Sequence, residues 1–284
     1  MVSLKKAYLK TYQLAKGNPV LFLPFAAFAA FEFVSLIILY LAPRMPLKLL
    51  FGPPIRSLWG ERFLHYPANF ILLPKLASLA RVCLTVVIGS LLTGIATLLV
   101  YNLYKKNKPV IKEVFKTVLK QYLSLFCIVL LFTLIFYGLD KITSKLLIKY
   151  FTSGHTNLLF LGAKFWLGLG LMTLNFTAAV LIQSAFVYAI PVLIIEKATL
   201  TKAILKSFGL FKKLFLKTVA LVLFPMLIYI PVIVIQYDPA FLITRLFPEA
   251  VLLASILSLI VSSLVVDLTI TVTAANLYLM NKNE

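Results

Sequence analysis

The amino-acid sequence predicts an all-α, polytopic membrane protein of six transmembrane helices, and three observations lead there. Hydrophobic residues make up 62% of the 284 positions and charged residues 13%, against roughly 45–50% and 25% in soluble domains. The mean hydropathy is +1.01. The apolar residues come in continuous runs rather than in alternation, so the backbone must satisfy its own hydrogen bonds as helices and not as a barrel. Disorder, collagen and a disulfide scaffold are excluded by the same composition, with its 11 glycines and 2 cysteines.

Six runs approach or exceed the roughly 20 residues that cross a hydrocarbon core. They cover residues 19–42, 76–104, 121–139, 165–195, 215–237 and 249–280. The first is expected to remain as a membrane helix, since a secretory apolar region is about 7–15 residues long and Ala42-Pro43-Arg44 is a poor cleavage site. No polar module interrupts the series, so residues 1–284 read as one integral membrane domain. Cys83 and Cys127 fall inside apolar runs, where a thiol acts as a small hydrophobe.

The chain carries 28 Lys+Arg against 9 Asp+Glu, a net charge of +19. In a soluble domain this balance would point to nucleic acid. Here the charges lie between membrane spans, so anionic lipid headgroups are the expected partner and nucleic acid is not. Residues 1–18, 105–120, 196–217 and Lys282 hold 17 of the basic residues, and the alternate connections hold 11. By the positive-inside rule both termini are expected to face the cytoplasm, and the chain is expected to lie in a prokaryotic cytoplasmic membrane.

Three of the basic segments align without gaps. Lys6-Ala7-Tyr8-Leu9-Lys10-Thr11, Lys112-Glu113-Val114-Phe115-Lys116-Thr117 and Lys202-Ala203-Ile204-Leu205-Lys206-Ser207 each carry two lysines four apart and then a hydroxyl residue. Each runs into a shorter apolar span followed by a longer one. The pattern predicts three units of an interfacial helix and a hairpin of spans, at approximately 1–104, 105–195 and 196–284. On a helical wheel Leu200, Ile204, Phe208, Phe211 and Phe215 share one face, and Lys202, Lys206, Lys213 and Lys217 the other. Those four lysines, with Lys112 and Lys116, are the candidate contacts to anionic lipid. A basic collar that sets topology and packs over the bundle is the alternative.

Around the end of the fourth span the chain reads Ala189-Ile190-Pro191, then Glu196, Lys202-Ala203-Ile204 and Ser207-Phe208. This resembles the membrane domain associated with some bacterial glycerophosphodiester phosphodiesterases and related six-span membrane proteins. There, a proline near a span end, an acidic residue and an Ala-x-x-x-Ser helix precede a Lys-Gly-Asn-like turn. Lys16-Gly17-Asn18 supplies such a turn in the first unit, whereas the third has Phe211-Lys212-Lys213-Leu214. The resemblance implies a six-span fold and a membrane location. It hands over no catalytic residues, because no phosphodiesterase barrel fits in the connections.

Two acids, Glu32 and Asp267, fall near mid-span, where an ionised group costs at least about 2.5–3.5 kcal/mol unless it is paired or hydrated. With Asn175 and Gln183 they form the candidate intramembrane polar site. It reads either as a proton or cation pathway or as structural hydrogen bonding between helices. Arg81, a few residues inside the second run, is expected to snorkel outward. Glu196 is expected to meet lysines or, with Thr199 as the alternative, to cap the following helix. Pro24, Pro191, Pro225 and Pro231 should kink their spans. Pro43, Pro46, Pro53, Pro54, Pro67 and Pro74 punctuate the first outer connection, whose Leu49-Leu50-Phe51 and Ile55-Arg56-Ser57-Leu58-Trp59 look interfacial.

His65 follows Glu61 by four residues, and His155 is the only other histidine. Catalytic zinc needs three protein ligands, so no metal and no other cofactor is expected. No phosphate loop, dinucleotide fingerprint or nucleophile motif occurs. The expected function is therefore non-enzymatic: a scaffold, accessory or lipid-interacting protein, with a transporter or permease-like protein as the rival. A cavity reaching both Glu32 and Asp267 would favour the rival; a filled bundle would favour the scaffold. As a test of topology, single cysteines at positions 108 and 155, in a background lacking Cys83 and Cys127, should be labelled from opposite sides of intact cells. Labelling of both from one side would contradict six spans.

Overall fold

The computed structural model describes residues 3–152 and 158–282. His155 lies outside the described residues, as do the side chains of Lys149 and Lys164. Among the described residues six helical stretches are long and apolar enough to cross a membrane: Pro19–Leu41, Ala68–Tyr104, Tyr122–Thr143, Thr173–Glu196, Phe215–Gln236 and Ala250–Lys282. In chain order the helices are α1 (Leu4–Gly17), α2 (Leu23–Leu41), α3 (Leu47–Trp59), α4 (Ala68–Tyr104), α5 (Ile111–Leu119) and α6 (Tyr122–Thr152). There follow α7 (Leu158–Phe186), α8 (Ala189–Glu196), α9 (Leu200–Lys213), α10 (Phe215–Tyr237), α11 (Pro239–Arg245) and α12 (Ala250–Lys282).

The second span begins eight residues earlier than its strongest apolar run. Pro74 lies inside α4 rather than in the outer connection. A proline removes one backbone bond, and burial of Phe70, Leu72 and Leu73 holds the helix together around it. At 1.5 Å per residue α4 is about 55 Å long and must tilt or project beyond a core of roughly 30 Å. Pro53 and Pro54 likewise sit within α3. That helix buries Gly52 and Ile55 and turns Leu49, Leu50 and Leu58 outward. Glu61 and His65 belong to a short 3-10 turn and its end, and Glu61 pairs with Arg56 at 3.0 Å.

Among the other prolines, Pro24 stands in the first turn of α2, a position that tolerates a missing N–H. Pro225 and Pro231 lie within α10. The fourth span breaks at Val187-Tyr188, between α7 and α8. Pro191 cannot donate to the Val187 carbonyl four residues back, which loosens the ladder there. The Ser207 hydroxyl of α9 donates to the nearby Ala185 carbonyl at 2.6 Å. Tyr188 is fully buried, with its hydroxyl 2.9 Å from that of Thr218.

The three basic segments pack against the bundle. In α1 the inward residues are Ala7 and Thr11, and in α9 they are Ala203 and Ser207, so the aligned positions face inward in both. In α5 they are Val114 and Val118, one residue on from the aligned Glu113 and Thr117. Asn276 Nδ2 and Thr273 Oγ1 of α12 donate to Thr11 Oγ1 at 3.0 and 3.2 Å. Tyr8 donates to the Leu221 carbonyl at 3.0 Å, and burial pushes its phenol up to about 12, so it stays a donor near neutral pH.

Glu196 meets lysines, as its position suggested. Lys206 reaches it at 2.6 Å and Lys282 at 3.2 Å, and Tyr278 donates to the same carboxylate. Lys10 sits 3.5 Å over the Tyr104 ring. These contacts gather α1, α9 and the ends of α4, α8 and α12 at one end of the bundle, called here the basic end. Thr199 stands at the start of α9 without making a side-chain cap.

Among the described glycines the most tightly packed is Gly94 of α4. A Cβ built there would come within 2.8 Å of both Leu125 and Val118. Gly94→Ala must displace those side chains and should destabilise the protein by about 1–3 kcal/mol, the range for overpacking. Thermal unfolding in detergent measures this, with Gly209→Ala, where a Cβ meets open space, as the control.

Candidate functional site: an arginine between two acids

Because α4 starts at Ala68, Arg81 stands about 20 Å along it rather than near its end. The expectation that Arg81 snorkels outward is overturned. Its Nε lies 3.0 Å from Glu32 Oε1, and its Nη2 donates to Asp267 Oδ2 at 3.3 Å. Nη1 donates to the Ser262 hydroxyl. One guanidinium thus joins the two mid-span acids from α2 and α12.

The acids differ in their surroundings. The Glu32 side chain is 5% exposed and that of Asp267 39%. Ser263 donates to Glu32 Oε2 at 2.7 Å. Oε1 is held by the Arg81 Nε as an ion pair rather than as an aligned hydrogen bond. Among the described residues Asp267 receives one hydrogen bond, from Arg81.

Local backbone geometry makes the cluster possible. Ser262 and Asp267 are five residues apart, which on an α-helix sets them about 140° apart. The segment Val261–Asp267 is a π-helical turn. Its i→i+5 bonding is wider, so both side chains reach the same guanidinium. A second π turn, Thr85–Gly89, follows Arg81 in α4. There the Tyr122 hydroxyl donates to the Val87 carbonyl at 2.9 Å. The aromatic edge of Phe28 rests where a Cβ on Gly89 would stand, 3.2 Å from the nearest ring atom.

Two cavities meet at the cluster from opposite ends. The first, about 160 Å³, is lined by Glu32 and Arg81 together with Pro74, Ser78, Tyr229 and Gln236. These residues lie towards the end opposite the basic one. The second, about 200 Å³, is lined by Asp267, Gln183, Phe25, Phe28, Phe132 and Thr271 among others, all towards the basic end. Of the candidate polar residues, Gln183 therefore joins Asp267 in one cavity. Asn175 lines neither.

The six lysines singled out on α5, α9 and α10 divide in a similar way. Lys202, Lys213, Lys112 and Lys116 are exposed and Lys217 is half-buried. Lys206 is held by Glu196. Among the described residues no group of three or more His, Cys, Asp or Glu is placed to hold a metal ion.

The sequence contained one signal for Arg81. Phe70-Ile71-Leu72-Leu73 before Pro74 extends the apolar run and moves the arginine inward. The chain matches no protein-family model, no curated protein and no solved structure.

Removing the arginine should strand Glu32. Arg81→Met is expected to destabilise by about 3 kcal/mol, the lower end for breaking a buried pair, because the Arg81 side chain is 31% exposed. Adding Glu32→Gln and Asp267→Asn to Arg81→Met should recover most of that loss. Thermal unfolding of the two variants measures it; a triple variant no more stable than the single would contradict the pairing.

Proposed function

We propose that this protein is a transporter-like membrane protein that passes a proton or small cation through its bundle, with Arg81 and its two acids as the gate. Neither of the two cavities reaches both acids; instead Glu32 lines one and Asp267 the other, with the Arg81 guanidinium between them, and that observation carries the proposal. A structural ion network would satisfy its charges in a filled core. Here each acid instead adjoins open volume.

The sign of the charge selects the solute. With both acids ionised the cluster holds two carboxylates against one guanidinium, so the surplus is negative and attracts a cation. A cation arriving at one acid weakens that acid's hold on Arg81. The arginine then leans to the other acid, and the opening between the cavities moves with it. This is a non-enzymatic mechanism, and it places the working residues on α2, α4 and α12.

The exposed lysines support a second, compatible role in contact with lipid. Lys112, Lys116, Lys202 and Lys213 lie at the basic end, where each can contribute about 1 kcal/mol beside an anionic surface. On this reading the basic end faces the cytoplasm of a prokaryotic cell and α3 lies along the opposite leaflet. The inward Ala and hydroxyl residues shared by α1 and α9 support an internal repeat that α5 keeps only approximately. The resemblance to the phosphodiesterase-associated membrane domain rests on the residues around α8 and α9 and is compatible with either role.

Reconstituted vesicles test the transport reading. Dissipation of an imposed pH gradient, or of a sodium or potassium gradient, should be faster with the protein than without it. Glu32→Gln and Asp267→Asn should each slow it at least tenfold while unfolding within a few degrees of the parent protein. Undiminished flux in both variants would overturn the proposal.

A further inference from the structure

The second cavity has a chemistry of its own, and it deepens the transport reading on which it rests by naming a substrate class. We infer that this cavity binds an organic ammonium ion, a cationic amine carried on an apolar body about the size of an aromatic ring, with its charged head at Asp267.

Four features of the cavity select that ligand. Its walls include Phe25, Phe28, Phe132 and Phe186, which give an apolar and aromatic surface. Phe132 and Phe186 meet edge to face, with ring centres 6.0 Å apart. Among its described lining residues Asp267 alone is charged, so the cavity favours a cation and contains no base to repel one. An inorganic ion has no apolar surface to bury against these walls, whereas an apolar body would be removed from water at about 25 cal/mol per Å².

Several polar groups of the lining present acceptors, although Thr85, Thr271 and the Gln183 amide can also donate. Among the described residues the Asp267 carboxylate receives one hydrogen bond, through Oδ2 at 3.3 Å. Thr93 and Thr97 already donate their hydroxyl protons, to the carbonyls of Gly89 and Thr93 at 2.7 and 2.9 Å, so their free lone pairs can only accept. Gln183 lines the same cavity, and its Oε1 is buried without a donor among the described residues. A primary ammonium brings three N–H donors and no acceptor.

Size completes the selection. A dry cavity of about 150 Å³ accommodates benzene; this one, at about 200 Å³, has room for a ring with a short aminoalkyl arm. The ammonium head would compete with the Arg81 guanidinium for the same carboxylate. Its arrival would therefore release Arg81 toward Glu32, the movement that the transport reading requires.

The probe is 2-phenylethylammonium, titrated calorimetrically into the purified full chain in an uncharged detergent, with empty micelles as the blank. Binding is expected for this cation. The isosteric 2-phenylethanol and ammonium chloride should each bind at least tenfold more weakly. Asp267→Asn should weaken 2-phenylethylammonium at least tenfold. Thr271→Phe, which fills the cavity without touching the ion cluster, should do the same, so the result does not depend on one variant folding.

Equal affinity for the alcohol and the ammonium, or unchanged binding in a folded Asp267→Asn or Thr271→Phe protein, would overturn the inference. Gradient dissipation measured on the same purified protein after reconstitution into vesicles separates the two proposals. Proton or inorganic-cation flux without 2-phenylethylammonium binding rejects the substrate class and leaves the transport reading. Absence of both in folded protein rejects both.

Discussion

A guanidinium cannot sit alone in the middle of a membrane helix, and the need to neutralise Arg81 governs how this bundle is assembled. Its isolated charge would cost at least about 2.5–3.5 kcal/mol there. Glu32, Asp267, Ser262 and Ser263 remove that penalty from two other helices, so α2, α4 and α12 must converge at one level. The distortion of α12 into a π turn is the backbone's part of the same solution, since regular helical spacing would turn Ser262 away from Asp267.

Convergence at that level also shapes the empty space. Three helices drawn together around a polar cluster, with a proline in α4 on one side and the Phe28–Gly89 contact on the other, leave volume above and below the cluster rather than within it. An ion network that merely stabilised the core would gain from being enclosed. This one lies between two cavities of comparable size. The second cavity adds aromatic walls and an acceptor-rich lining, so its chemistry differs from the more polar first.

The basic end holds the opposite design. Glu196 gathers Lys206, Lys282 and Tyr278 and so ties α8, α9 and the last turns of α12 to one carboxylate. Tyr8 and Thr11 secure α1 to α10 and α12 through hydrogen bonds. Amphipathic segments that could have floated in the headgroup layer are instead docked by small inward residues and specific polar contacts. Lys202 and Lys213 remain exposed on the other face, while Lys10 and Lys206 join the docking contacts.

The sequence by itself determined the class of fold, the six spans and the identity of the two mid-span acids. A hydrocarbon core imposes length, apolarity and helical hydrogen bonding on each span separately, and a carboxylate stands out within such a run whatever its neighbours are. It also marked Glu196 as a meeting point for lysines. The partnership with Arg81 was hidden because Pro74 and Lys75 seemed to close the outer connection and left the arginine near a span end, free to reach water. Packing overrode that local signal by burying Phe70, Leu72 and Leu73 ahead of the proline. Ser262 was hidden for a different reason, since a period of 100° per residue assigns it to another face than Asp267. Gln183 was legible as a polar residue in a span, but not its sharing of a cavity with Asp267. Only the tertiary structure decided these, because charge pairing, helix bulges and cavities depend on which helices touch, and apolar patterning within one helix carries no record of its neighbours.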